Sequence, residues 1–110
     1  MTYDKEEDIL MLSRGRAVQA SIEIGDFVVD VDTKGFIVGL EILDASKTLS
    51  IPKRRLMRLQ NATMTINYKQ QYTLLTVFLE LSDTNKEITI PLTLDLSHTT
   101  GRQRVCFARA

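Results

Sequence analysis

The segment Phe27-Val28-Val29-Asp30-Val31-Asp32-Thr33-Lys34-Gly35-Phe36-Ile37-Val38-Gly39-Leu40-Glu41-Ile42-Leu43 constrains the fold most. Two readings compete for it. An EF-hand calcium loop needs oxygen ligands at its first, third, fifth and twelfth positions and Gly at the sixth. Counted from Asp30, the chain offers Asp30, Asp32, Lys34, Gly35 and Glu41 at those places. Lys34 fails, because an ammonium cannot coordinate a dication. The flanks fail as well, since an EF-hand needs an amphipathic helix on each side. Here Phe27, Val29 and Val31 alternate with Val28, Asp30 and Asp32, and Phe36, Val38, Leu40 and Ile42 alternate with Ile37, Gly39, Glu41 and Leu43. Period two with β-branched and aromatic residues is a strand signal. Asp32-Thr33-Lys34-Gly35 then reads as a type I turn, with Gly in the left-handed position of a bulge. The hairpin prevails.

Four blocks of the first half also carry a family resemblance. They are Tyr3-Asp4-Lys5-Glu6-Glu7-Asp8-Ile9-Leu10, Ile24-Gly25-Asp26, Asp30-Val31-Asp32-Thr33-Lys34-Gly35 and Val38-Gly39-Leu40-Glu41-Ile42-Leu43-Asp44-Ala45-Ser46. In order and spacing they resemble the small prokaryotic family catalogued as domain of unknown function 2283. The resemblance implies a small β-rich fold and brings no established activity or catalytic residues. It runs to about Ser46. From Asn61 onward no family resemblance is found.

The remaining chain alternates strand and turn signals. Asp8–Ser13 and Ala17–Ile24 flank an Arg14-Gly15-Arg16 turn and lead into the hairpin, which predicts four antiparallel strands. Ser50-Ile51-Pro52 reads as a helix start, because Ser caps and Pro is tolerated in the first turn. Leu56, Met57 and Leu59 give that helix an apolar face, and Asn61 ends it. Period two then returns in Met64, Ile66 and Tyr68, and in Leu75, Val77, Leu79 and Leu81. After a Ser82-Asp83-Thr84-Asn85 turn come Ile88, Ile90, Leu92 and Leu94, and Gln103–Ala108 adds a last strand. Pro91 has no N–H to donate, which places it on an edge strand or at a bulge.

The predicted fold class is therefore mainly β (α+β): two antiparallel β-meanders of three to four strands each, joined by one short α-helix. Residues 1–110 form one domain, with a family-like meander over 1–46, a basic linker and short helix over 47–61, and a second meander over 62–110. A length of 110 residues supports one modest core. No apolar run approaches the roughly 20 residues that span a bilayer. The start, Met-Thr-Tyr-Asp-Lys-Glu-Glu-Asp, is acidic and lacks an apolar segment, so no secretory signal is expected. Cys106 is the only cysteine and fits a reducing, cytoplasmic setting. Its place between Val105 and Phe107 reads as a buried strand position.

The net charge is zero, yet the two halves differ. Residues 1–46 carry −6 and residues 47–110 carry +6. Halves that face each other, or subunits that pair head to tail, would satisfy these charges internally. A basic patch of Lys53, Arg54, Arg55 and Arg58, with Lys47 just before it, falls in the expected helix. Cations at a helix N-terminus oppose its dipole, so this cluster is a candidate site for an acidic partner. Arg102, Arg104 and Arg109 would extend the strip if they adjoin it. Nucleic acid is the less favoured partner. The chain is not net basic, has no Trp, and its aromatics fit strand faces.

Catalytic constellations are thin. His98 is the only histidine, which excludes a multi-histidine metal site within one chain. Ser97-His98 with Asp95 are neighbours in a polar turn, whereas triad groups must converge on an oxyanion hole. Asp30, Asp32 and Glu41 form a candidate acidic patch able to hold a divalent cation weakly. No catalytic residue, cofactor site or metal site is assigned, and no enzymatic activity is expected.

The strand containing Leu75, Val77 and Leu79 is apolar on one face and, through Leu74 and Phe78, partly on the other. A strand that needs cover on both sides in so small a protein predicts self-association, as a homodimer or larger. The expected function is thus non-enzymatic protein–protein contact. A small regulator using the basic helix is the alternative.

Overall fold

The hairpin forms as its periodicity demands. In a computed structural model that describes residues 1–70, 72–81, 84–92 and 101–108, β4 (Phe27–Val31) pairs antiparallel with β5 (Ile37–Ile42). Gly35 takes φ 82° and donates its N–H to Asp32 O at 3.0 Å, closing the turn. The Asp32 carboxylate completes it: Oδ1 accepts the N–H groups of Lys34 and Phe36, both at 2.9 Å. Asp30 faces Gly39 and Val31 faces Ile37, so Val38 is the extra residue of a bulge.

Three further strands complete this first sheet: β1 (Thr2–Asp4), β2 (Ile9–Ser13) and β3 (Ala20–Ile24). Their order is β1-β2-β5-β4-β3. β3, β4 and β5 are a meander. β2, however, docks on the far side of β5, with Leu10 opposite Ile42 and Leu12 opposite Leu40. The Arg14-Gly15-Arg16 segment therefore does not join neighbouring strands. It carries the chain across the sheet, pinned by Arg14 N–H to Val38 O at 2.9 Å and Gln19 N–H to Val31 O at 2.8 Å. Burial explains the order: Leu10 and Leu12 are fully covered beside β5, while Ile22 and Ile24 on the edge strand β3 are only half-buried.

The expected single helix is two. α1 (Ala45–Leu49) buries Ala45 and Leu49, and stops where Ser50 turns left-handed at φ 55°. Pro52 then disfavours a helical Ile51 and stands at the N-cap of α2 (Lys53–Leu56). Ser50 thus ends one helix instead of starting another. Asn61 likewise opens a strand and does not close the helix.

The second sheet holds β6 (Asn61–Tyr68), β7 (Thr73–Glu80), β8 (Asn85–Leu92) and β9 (Gly101–Ala108), in the order β8-β7-β6-β9. Three strands form a meander and the fourth returns beside the first, which is Greek-key order. Pro91 lies on the edge strand β8, as its missing N–H requires. Ser82, Asp83, Leu94, Asp95, Ser97, His98 and Arg109, named in the sequence reading, lie outside the described residues.

Both sheets and both helices feed one continuous hydrophobic core, in a body of 40 × 24 × 23 Å. Leu12, Leu40 and Ile42 come from the first sheet, Leu49 and Leu56 from the helices, and Met64, Ile66, Leu75 and Leu79 from the second. The fold is mainly β, with antiparallel sheets of five and four strands.

Candidate functional site

The second sheet turns one face to the core and leaves the other open among the described residues. Period two decides which residues go where. β6 sends Ala62, Met64, Ile66 and Tyr68 inward, leaving Thr63, Thr65 and Asn67 outside. β7 sends Thr73, Leu75, Val77 and Leu79 inward, leaving Leu74, Thr76, Phe78 and Glu80 outside.

Register then assembles the outer face in rows. Leu74 stands between Asn67 and Pro91, Thr76 between Thr65 and Thr89, and Phe78 between Thr63 and Glu87. On the other side of β6, Arg102 lies opposite Asn67 and Arg104 opposite Thr65. The face encloses a depression of about 350 Å³. Its floor of threonines, Asn67, Leu74 and Phe78 is half-buried. Acids stand at one side, as Glu80 and Glu87, and guanidinium groups at the other, as Arg102 and Arg104. Such a surface offers hydroxyl and amide hydrogen bonds, two apolar contacts and opposed charges.

The hairpin acids do not converge into a ligand set. Asp30 Oδ1 accepts the Ser21 hydroxyl at 2.7 Å, and Asp32 Oδ1 is held by the turn. Glu41 lies one row away from Asp30, opposite Met11 and Val28. Among the described residues, no group of three or more His, Cys, Asp or Glu side chains is arranged to hold a metal ion.

The basic cluster sits on a helix of four residues, Lys53–Leu56, with Arg58 just beyond it. So short a helix has no developed dipole for these cations to oppose, which removes that reason for singling them out. Lys53 is exposed, and its charge is the smallest of the influences that keep the Asp8 carboxyl ionised. Cys106 lies on a strand, as expected, but is exposed and not buried. It belongs to the outward-facing set of β9, with Thr63 Oγ1 3.9 Å from its sulfur.

Asp8 is the polar centre that sequence reasoning missed. It is buried, at φ 56°, between β1 and α1. Its Oδ1 accepts the Tyr3 hydroxyl at 2.6 Å and the Ser46 N–H at 3.1 Å, and its Oδ2 accepts the Ser46 hydroxyl at 2.6 Å. Burial pushes this carboxyl up, but the bonds from Ser46 and Tyr3, with Lys53, outweigh it and hold the pKa below its ordinary value. Burial, then the bond to Asp8, push the Tyr3 phenol well up. The arrangement ties the N-terminal strand to the first helix.

Comparison with known proteins separates the two sheets. Residues 1–46 match the model of a family described as "Protein of unknown function (DUF2283)". An uncharacterized protein of Methanocaldococcus jannaschii is 35% identical over 57 residues, 51% of this chain and 49% of that protein. The chain thus spans about half the length of the curated relative it matches. No solved structure matches. The resemblance expected for the N-terminal half is therefore borne out: residues 1–46, which build the five-stranded sheet, match DUF2283, and the four-stranded sheet lies outside the matched segment.

Proposed function

We propose that the chain is a non-enzymatic interaction module that pairs with a second copy of itself through the outer face of the four-stranded sheet. The observation that carries this reading is the position of Leu74 and Phe78, apolar side chains on the outward face of β7. They sit between an acidic flank, Glu80 and Glu87, and a basic flank, Arg102 and Arg104. A twofold axis parallel to the strands lays β8 of one copy over β9 of the other. Glu87 of each copy then lies over the Cys106 row of its partner, one row from Arg104, and the apolar residues meet near the middle. Four strands about 4.8 Å apart and eight residues long at about 3.4 Å each give a footprint of roughly 500 Å² per copy. Doubled, this reaches the low end of specific interfaces.

The same face supports a non-enzymatic role. Among the described residues, Thr63 and Thr76 bond to Cys106 and Thr89 and to no carboxylate, so no hydroxyl there is paired with a base. The exposed, unpaired Cys106 fits a reducing compartment such as the cytoplasm. The test is sedimentation of the wild type beside a variant carrying Leu74→Thr and Phe78→Thr, which extends the existing threonine surface. A wild type that pairs and a variant that does not are the expected results. A wild type that stays monomeric at micromolar concentration overturns the proposal.

A further inference from the structure

The four sheet edges are not equally protected. β1 is three residues long and β3 is five, too short to template much pairing. β8 carries Pro91, which cannot donate, and Lys86, which opposes Leu79 on the inward side. Both are devices that blunt an edge. β9 has neither. It runs eight residues from Gly101 to Ala108 in unbroken register with β6, and among the described residues nothing pairs with its other side. Every second N–H and C=O of an antiparallel edge strand points away from its neighbour, ready for another strand.

The side chains of β9 specify what that strand should carry. Arg102 and Arg104 lie on the outward face, beside Asn67 and Thr65, and form no ion pair among the described residues. A charge pointing into the core would block strand addition, because it would have to be buried. Charges on the open face stay solvated when a strand is added, so they select instead of blocking. On the inward side, Gln103 and Val105 are half-buried, and Val105 packs at the margin of the core. A new strand would cover them.

We infer that β9 is a docking edge for an extended peptide segment of a partner protein, added as a fifth strand of the sheet. The recognised pattern alternates apolar and acidic residues. In antiparallel register, two acids two residues apart lie opposite Arg104 and Arg102, and the apolar residues flanking the first lie opposite Gln103 and Val105. Main-chain bonds supply affinity and the alternating side chains supply specificity, as in other cases of strand addition. This site shares Arg102 and Arg104 with the outer face assigned to self-pairing, but it rests on the free main-chain edge of β9 and stands without that assignment.

The test uses a fluorescent peptide, Thr-Val-Glu-Val-Glu-Val-Thr, titrated with the full chain. A version with both Glu changed to Lys should bind at least about tenfold more weakly, because like charges then face each other. A version N-methylated at alternate backbone positions keeps every side chain and should lose binding. Arg102→Glu with Arg104→Glu should reverse the preference between the Glu and Lys peptides. The Leu74→Thr, Phe78→Thr variant should bind as the wild type does, which separates this site from the self-pairing face. Equal binding of the N-methylated peptide would overturn the proposal, leaving simple charge attraction. Absence of peptide binding, with self-association lost on reversing the arginines, would overturn it too and leave these arginines to the self-pairing face alone. Absence of peptide binding with self-association intact would leave β9 a plain, charge-guarded edge.

Discussion

The hydroxyl of Tyr68 accepts the backbone N–H of Ile37 at 2.9 Å and donates to Gln103 Oε1 at 3.1 Å. One phenol of the four-stranded sheet thus satisfies a backbone donor at the bulge of the five-stranded one. The ring of Phe36 meets it edge-on, with centroids 5.5 Å apart. Tyr68→Phe keeps the ring and leaves the buried Ile37 N–H without this acceptor, which should cost about 1–3 kcal/mol. Urea denaturation of the two proteins measures the difference. A loss below a few tenths of a kcal/mol would mean that the hydroxyl does not couple the sheets.

Asp8 should make stability fall in acid. Its carboxyl pKa is lowered in the fold from an ordinary value of 3.8, so the native state binds fewer protons than the unfolded one as pH drops past that value. The contribution is complete above the unfolded pKa and is lost as pH falls through the lower native one. Asp8→Asn should flatten this part of the pH–stability curve and lower stability near neutrality. A curve between pH 2 and pH 5 unchanged by the substitution would contradict the assignment.

Gly39 leaves little room for a side chain. An added Cβ would lie 3.0 Å from Asp30 Oδ2 and 3.3 Å from the Leu12 carbonyl oxygen. Asp30 is also held by Ser21, so it does not yield freely. Gly39→Ala should cost about 1–3 kcal/mol by overpacking. Asp30→Ser in the same chain should restore part of that, because only the backbone contact remains. Additive losses in the double-mutant cycle would place the strain elsewhere.

Calcium or magnesium should leave the melting temperature unchanged. The Asp32 oxygen that a loop would need already accepts two backbone N–H groups, and Lys34 adds a positive charge beside it. A rise in melting temperature with millimolar calcium, lost in Asp32→Asn, would reinstate the loop reading.

The legible parts of this fold were those set by local chemistry. Alternation about Asp32-Thr33-Lys34-Gly35 gave the hairpin because period two and a left-handed glycine are properties of adjacent residues. Pro91 marked its edge strand because a missing donor is intrinsic to the residue. What escaped depended on distant partners. Asp8 looked like one more acid at a charged N-terminus, since Ser46, which makes it a buried hub, is 38 residues away. β2 precedes β3 in the chain and sequence neighbours usually pair, but the burial of Leu10 and Leu12 beside β5 decides otherwise. Cys106 shares its alternation with either face of a strand, so the pattern could not say which side β9 turns outward. Leu74 and Phe78, by contrast, were visible as apolar residues on the wrong side of β7, and the rows around them showed where they point.

Sedimentation equilibrium at micromolar concentration tests the central claim most directly. Self-pairing through the outer face of the second sheet predicts a species of twice the 12.5 kDa chain mass, reverting to 12.5 kDa when Leu74 and Phe78 are both replaced by Thr. A wild-type chain sedimenting only at 12.5 kDa, or a double variant that still pairs, would contradict it.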